Sequence, residues 1–121
     1  MAKPTDITVS SDKETMTVAF DDGMTFDLPV ELLRVESPSA EVQGHGGQKE
    51  IIGGKKYVKI ANLEPVGNYA IRILFDDGHD TGLFAWSYLY EMGLARDEIW
   101  SAYIRALASE GLDRDPFPKI G

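Results

Sequence analysis

Tyr69-Ala70-Ile71-Arg72-Ile73-Leu74-Phe75-Asp76-Asp77-Gly78 carries its large apolar residues, Tyr69, Ile71, Ile73 and Phe75, at every second position. A period of two places them on one face of a strand that looks into a core, with Arg72 on the opposite side. Asp-Gly directly after such a run predicts a hairpin, because both residues tolerate positive φ. The chain is then predicted to return through Thr81 to Leu83. The same signal stands earlier: Phe20-Asp21-Asp22-Gly23 recurs as Phe75-Asp76-Asp77-Gly78, 55 residues on. Each copy follows an alternating strand and precedes a short strand and a helix. Two copies of such a unit predict one antiparallel sheet with helices attached.

Working toward the N-terminus, Ile7 and Val9, then Met16, Val18 and Phe20, alternate as half-buried strands do, with a turn over Ser11 to Glu14. Phe26 and Leu28 continue the returning strand. Pro29 suits the first position of a short helix, since it has no amide hydrogen to lose there, and Val30, Leu32 and Leu33 give that helix an apolar side. Ser37-Pro38 ends it, and Gly44 to Gly47 reads as a loop. A second β block is predicted from Ile51-Ile52, turning at Gly53-Gly54, resuming through Tyr57, Val58 and Ile60, and turning again over Pro65 to Asn68.

Toward the C-terminus the period changes from two to about 3.6. A short helix is predicted from Phe84 to Met92, stopped at Gly93, and a longer one from Arg96 to Ser109, stopped at Gly111. Ile99, Tyr103 and Leu107 share a face of the longer helix, widened by Trp100 and Ile104. The expected class is α+β: an antiparallel β-sheet of hairpins with short helices and one longer C-terminal helix packed on it. Residues 1–112 are read as one domain and 113–121 as an extended tail.

Composition narrows the chemistry. Of 121 residues 43% are hydrophobic and 26% charged, ordinary for a globular chain, and none is cysteine. Disulfides, thiolate catalysis and metal sites built on the chain's own sulfurs are excluded. The 20 acidic residues against 12 basic give a formal charge of -8, a field that repels phosphate backbones, so nucleic acid is not an expected partner. No apolar run reaches membrane-spanning length, and Met1 to Thr5 lacks signal or transit character. No membrane partner is expected, and cytoplasm is the expected location.

Two stretches carry a resemblance: Leu33-Arg34-Val35-Glu36-Ser37-Pro38-Ser39-Ala40-Glu41-Val42, and Glu64-Pro65-Val66-Gly67-Asn68-Tyr69-Ala70-Ile71-Arg72-Ile73 running on through Phe75-Asp76-Asp77-Gly78-His79-Asp80-Thr81-Gly82. Over roughly Ile7 to Gly93 the chain resembles the gamma-butyrobetaine hydroxylase-like N-terminal domain, also called domain of unknown function 971. In full-length hydroxylases that module precedes an iron- and 2-oxoglutarate-dependent catalytic domain and holds a structural zinc through three cysteines and a histidine. The resemblance places those donors at Ser37, Ser39, Val42 and His79, so only the histidine survives. Serine hydroxyls and valine do not replace thiolates, and one imidazole does not hold zinc tightly, which implies that this site is lost. Similar modules are fused to P-loop carriers of iron-sulfur clusters, which implies an accessory role beside metal-cofactor proteins.

His79 lies among Asp76, Asp77 and Asp80, a set suited to a divalent ion, and His45 between glycines is placed to join it. The metal candidates are therefore His79, His45, Asp77 and Asp80. No cofactor is expected, with a weakly bound divalent metal, iron or zinc, as the alternative. Neither histidine meets the two-histidine, one-carboxylate spacing of an oxygenase. Phosphate-binding and hydrolase motifs are absent. Among the aromatics, most are read as core, and Trp86, Tyr90 and Trp100 are the candidates for an exposed protein contact. Pro116-Phe117-Pro118 either docks or frays. The expected function is a non-catalytic accessory module acting through contacts with a protein partner yet to be identified, linked to iron-sulfur or oxygenase metabolism. The alternative is a small metal-binding domain, and self-association stays open.

Overall fold

Two three-stranded antiparallel sheets, ordered β1-β2-β3 and β4-β5-β6, frame the chain in a computed structural model that describes residues 2–43 and 49–116. The first sheet comprises β1 (Pro4–Val9), β2 (Thr15–Phe20) and β3 (Thr25–Pro29), followed by helices α1 (Val30–Val35) and α2 (Ala40–Gln43). The second comprises β4 (Ile60–Val66), β5 (Ala70–Phe75) and β6 (Leu83–Ala85), followed by α3 (Trp86–Leu94) and α4 (Arg96–Ser109). The α+β class and the antiparallel hairpins are as expected, but the repeated units build two sheets in place of one. Their inner faces meet instead of their edges: Met16, Val18, Phe20, Phe26 and Leu28 join Ile71, Ile73, Phe75 and Phe84 in one buried cluster. Burying both apolar faces in one core stabilises more surface than lengthening a sheet by a strand would.

The two units repeat in atomic detail. Gly23 and Gly78 close their turns at φ 89° and 91°, each donating its amide to the phenylalanine carbonyl three residues back, Phe20 or Phe75. Both glycines occupy left-handed backbone that a side chain would strain. The Lys3 amide donates to Asp21 Oδ1 while its carbonyl accepts the Asp21 amide, and Lys59 and Asp76 make the same pair of bonds. Each outer strand also shifts register at the same place, between Pro4 and Asp6 in β1 and between Ile60 and Asn62 in β4.

Several predicted boundaries move. Ile51 and Ile52 form no strand; they pack half-buried against Val35, Tyr103 and Leu107, and the Tyr103 hydroxyl donates to the Ile52 carbonyl at 2.6 Å. Pro65 and Val66 belong to β4, an edge strand on which a missing amide hydrogen is tolerated. Tyr69 keeps the parity of Ile71 and Ile73 but sits in the turn before β5, 57% exposed. Phe84 is a strand residue paired with Ile71, so α3 begins two residues late, and Gly93 lies inside it. That glycine is a packing residue: a Cβ there would lie 2.3 Å from the Phe26 ring. Helix α4 has the predicted limits, with Tyr103 and Leu107 buried and Ile104 turned outward.

Beyond α4, Gly111 at φ 68° reverses the chain, and residues 113–116 run back along the 54–56 segment. Gly54 and Lys56 donate their amides to the carbonyls of Asp113 and Arg114, each at 3.0 Å. Arg114 forks onto Glu31 of α1 and lies 5.0 Å above the Trp100 ring. Phe117 and Pro118 lie outside the described residues. Among the described residues no helix is long and apolar enough to cross a membrane.

Candidate functional site

The turn between β5 and β6 places His79 and Asp77 on different neighbours. Asp77 Oδ1 accepts the His79 amide at 3.0 Å, an Asx turn that fixes the corner. Its Oδ2 accepts from Arg34 Nε at 2.7 Å and lies 2.6 Å from Lys55 Nζ. Burial pushes this carboxyl up, but Lys55, the His79 amide and Arg34 together outweigh it and hold it at about 2. Arg34 is itself buried, and its second terminal nitrogen, Nη1, has no hydrogen-bond partner among the described residues.

The His79 ring reaches a second set of partners. Its Nε2 lies 3.0 Å from Ser37 Oγ and 3.3 Å from Ser39 Oγ, and all three side chains are buried. Val42 is wholly buried. Gly82 crosses directly against the node, where a Cβ would come within 2.3 Å of Ser37 Oγ. Gln43 Nε2 donates to the Ser37 carbonyl and so ties the same segment a second time.

Of the metal candidates, Asp77 is committed to Arg34 and Lys55, Asp80 is exposed on the side of Arg72, and His45 lies outside the described residues. Among the described residues no group of three or more His, Cys, Asp or Glu is arranged to hold a metal ion. Sequence reasoning missed Lys55 and the role of Arg34. The available signal for Arg34 was a charged residue within a short apolar helix.

The three aromatic candidates part company. Trp100 is half-covered, under Arg114 and against Tyr103 at 5.5 Å. Tyr90 stands edge-on to Phe20 and Phe26, and its hydroxyl donates to Asp22 Oδ2 at 2.6 Å. Trp86 opens α3 with its indole N–H donating to the Asn68 carbonyl at 2.8 Å. Trp86 and the exposed Tyr69 line a groove of about 300 Å³ with Ala2, Lys3 and Asn68. A second groove of about 290 Å³, lined by Asp22, Tyr90 and Glu91, shares Ala2 and Ser87 with it. Tyr69 was assigned to the core by its parity and so was missed as a surface residue.

Residues 7–90 match the family described as gamma-butyrobetaine hydroxylase-like, N-terminal. The chain belongs to that family. Among its gamma-butyrobetaine hydroxylase-like N-terminal relatives of known structure is a protein of unknown function from Acidithiobacillus ferrooxidans ATCC 23270, of the domain of unknown function 971 family. That crystal structure is 37% identical and superposes with a TM-score of 0.64 over 75% of this chain and 92% of its own. Two NMR solution structures are also similar. One is 45% identical with a TM-score of 0.84, covering 99% of this chain and 95% of its own. The other is 40% identical with a TM-score of 0.83, covering 100% and 91%. No curated protein matches.

The four positions that the family resemblance assigns to zinc are Ser37, Ser39, Val42 and His79. The donor set does not fit the ion. Two neutral hydroxyls, a hydrocarbon and one imidazole lack the thiolates that a closed zinc site requires.

Proposed function

We propose that this chain is a non-catalytic accessory module that works by docking another protein against the two adjoining grooves lined by Tyr69 and Trp86 and by Tyr90. The observation that carries the reading is the fixed indole of Trp86, anchored at its N–H by the Asn68 carbonyl beside the outward-facing Tyr69. Tyr90 is likewise held by Asp22. Aromatic side chains immobilised before binding lose little entropy when a partner arrives, and they dominate interface energetics. Family membership supports an accessory role, and the fused architectures of similar modules point to iron-sulfur or oxygenase metabolism as its setting. The charge of -8 favours a partner surface that carries basic residues.

The test is affinity capture from cells grown under several iron and oxygen regimes, with the natural chain, Trp86→Ala, Tyr69→Ser and a Trp100→Phe control. One partner should be retained by the natural chain and the control, and weakened at least tenfold by the first two variants. Failure to retain any partner, or retention by all four alike, overturns the reading.

A further inference from the structure

We infer that Ser37, Ser39 and His79 form a metal-independent clasp that holds the segment after α1 against the β5–β6 turn. The histidine is distant in sequence from the two serines, and its contacts join partners 42 and 40 residues apart. All are at most 6% exposed, so water does not compete for these bonds. The imidazole nitrogen keeps a hydroxyl partner whichever ring tautomer is present, because a hydroxyl rotates to donate or accept.

The surroundings are built for hydrogen bonds and not for an ion. The Val42 side chain offers no donor atom, Asp77 is spent on Arg34 and Lys55, and Asp80, next to the histidine in sequence, is exposed on the side of Arg72. The backbone of Gly82 fills the space beside Ser37 Oγ, so the node is closed there by packing. Where the family resemblance implies a zinc that pins these segments, hydroxyl-imidazole bonds pin them in this chain. The fold therefore completes itself without an ion.

The clasp is tested by thermal unfolding of the whole chain alone, with excess chelator, and with one equivalent of Zn²⁺. A site whose ion is bound only by the native state makes the melting temperature depend on that ion. The expected shift in both cases is below about 1 °C. Ser37→Ala and Ser39→Ala should each lower the melting temperature by on the order of 3–6 °C. Amide exchange over residues 36–43 should accelerate in both variants without a global change. A fall with chelator, a stoichiometric ion that survives purification, or serine variants indistinguishable from the natural chain would each overturn the inference. If a serine variant does not fold, the chelator and metal-content measurements on the natural chain decide it.

Discussion

Asp22 and Asp77 occupy the same corner of two copies of one turn, and each is gripped by a helix belonging to the other copy. Asp22 accepts the Met24 amide on Oδ1 and the Tyr90 hydroxyl of α3 on Oδ2. Asp77 accepts the His79 amide on Oδ1 and Arg34 Nε of α1 on Oδ2. The short turn bond is local, whereas the second bond couples the repeats. The two couplings differ in setting: the Arg34–Asp77 bond is part-buried, with side chains 11% and 17% exposed, whereas the Tyr90–Asp22 bond lies at the surface.

Asp77→Asn is expected to destabilise the protein by about 1–2 kcal/mol, because it leaves the buried Arg34 facing a neutral amide at a turn that solvent partly reaches. Denaturant unfolding read by circular dichroism measures this as a lower midpoint with an unchanged slope. Asp22→Asn removes an acceptor that solvent can replace and should move the midpoint much less. Equal effects would show that burial is not what separates the two corners.

The same carboxylate sets an acid limit. Its folded pKa of about 2 lies below the ordinary value of 3.8, so the unfolded chain binds the proton first as pH falls. The contribution is fully present above about pH 4 and disappears as the pH drops through 2. After discounting for the solvent at this turn, it amounts to about 1 kcal/mol. Stability measured between pH 5 and 2 should therefore decline, and Asp77→Asn should flatten part of that decline.

How far these relationships were legible depends on their range along the chain. Asp-Gly after an alternating run announced both hairpins, since the φ requirement is local. Helix α4 was equally plain, because a helix of 14 residues repeats its apolar stripe enough times to be read. Tyr69 misled because parity fixes which face a strand residue takes but not where the strand begins. Strand β6 has three residues, too few to show a period, so Phe84 was absorbed into the helix that follows it. The pairing of Arg34 with Asp77, 43 residues apart, leaves no local pattern. His79 stood out by its residue type, but its serine partners were aligned by family resemblance and not by any periodicity.

Gly93→Ala is expected to cost about 1–3 kcal/mol, since the added methyl enters the Phe26 ring, which is packed edge-on against Phe20 and Tyr90. Alanine is otherwise the better helix former, so a stabilised variant would refute the packing role given to this glycine. The thermal midpoint is the readout.

Arg114→Ala removes the fork that meets Glu31, which is 6% exposed, and uncovers Trp100. The expected loss is on the order of 1–3 kcal/mol, with a shift of tryptophan emission to longer wavelength. Arg114→Lys should recover only part of it, because an ammonium matches a carboxylate less well than a planar fork.

Because neither repeat closes its own acidic corner, neither holds all the bonds it needs to stand alone. Unfolding should consequently proceed all-or-none, with fluorescence and circular dichroism tracing one transition. Separated halves, residues 1–43 and 49–121, would be expected to gain order only when mixed. A duplicated motif has thus become a reciprocal lock, in which damage to either copy is felt by both.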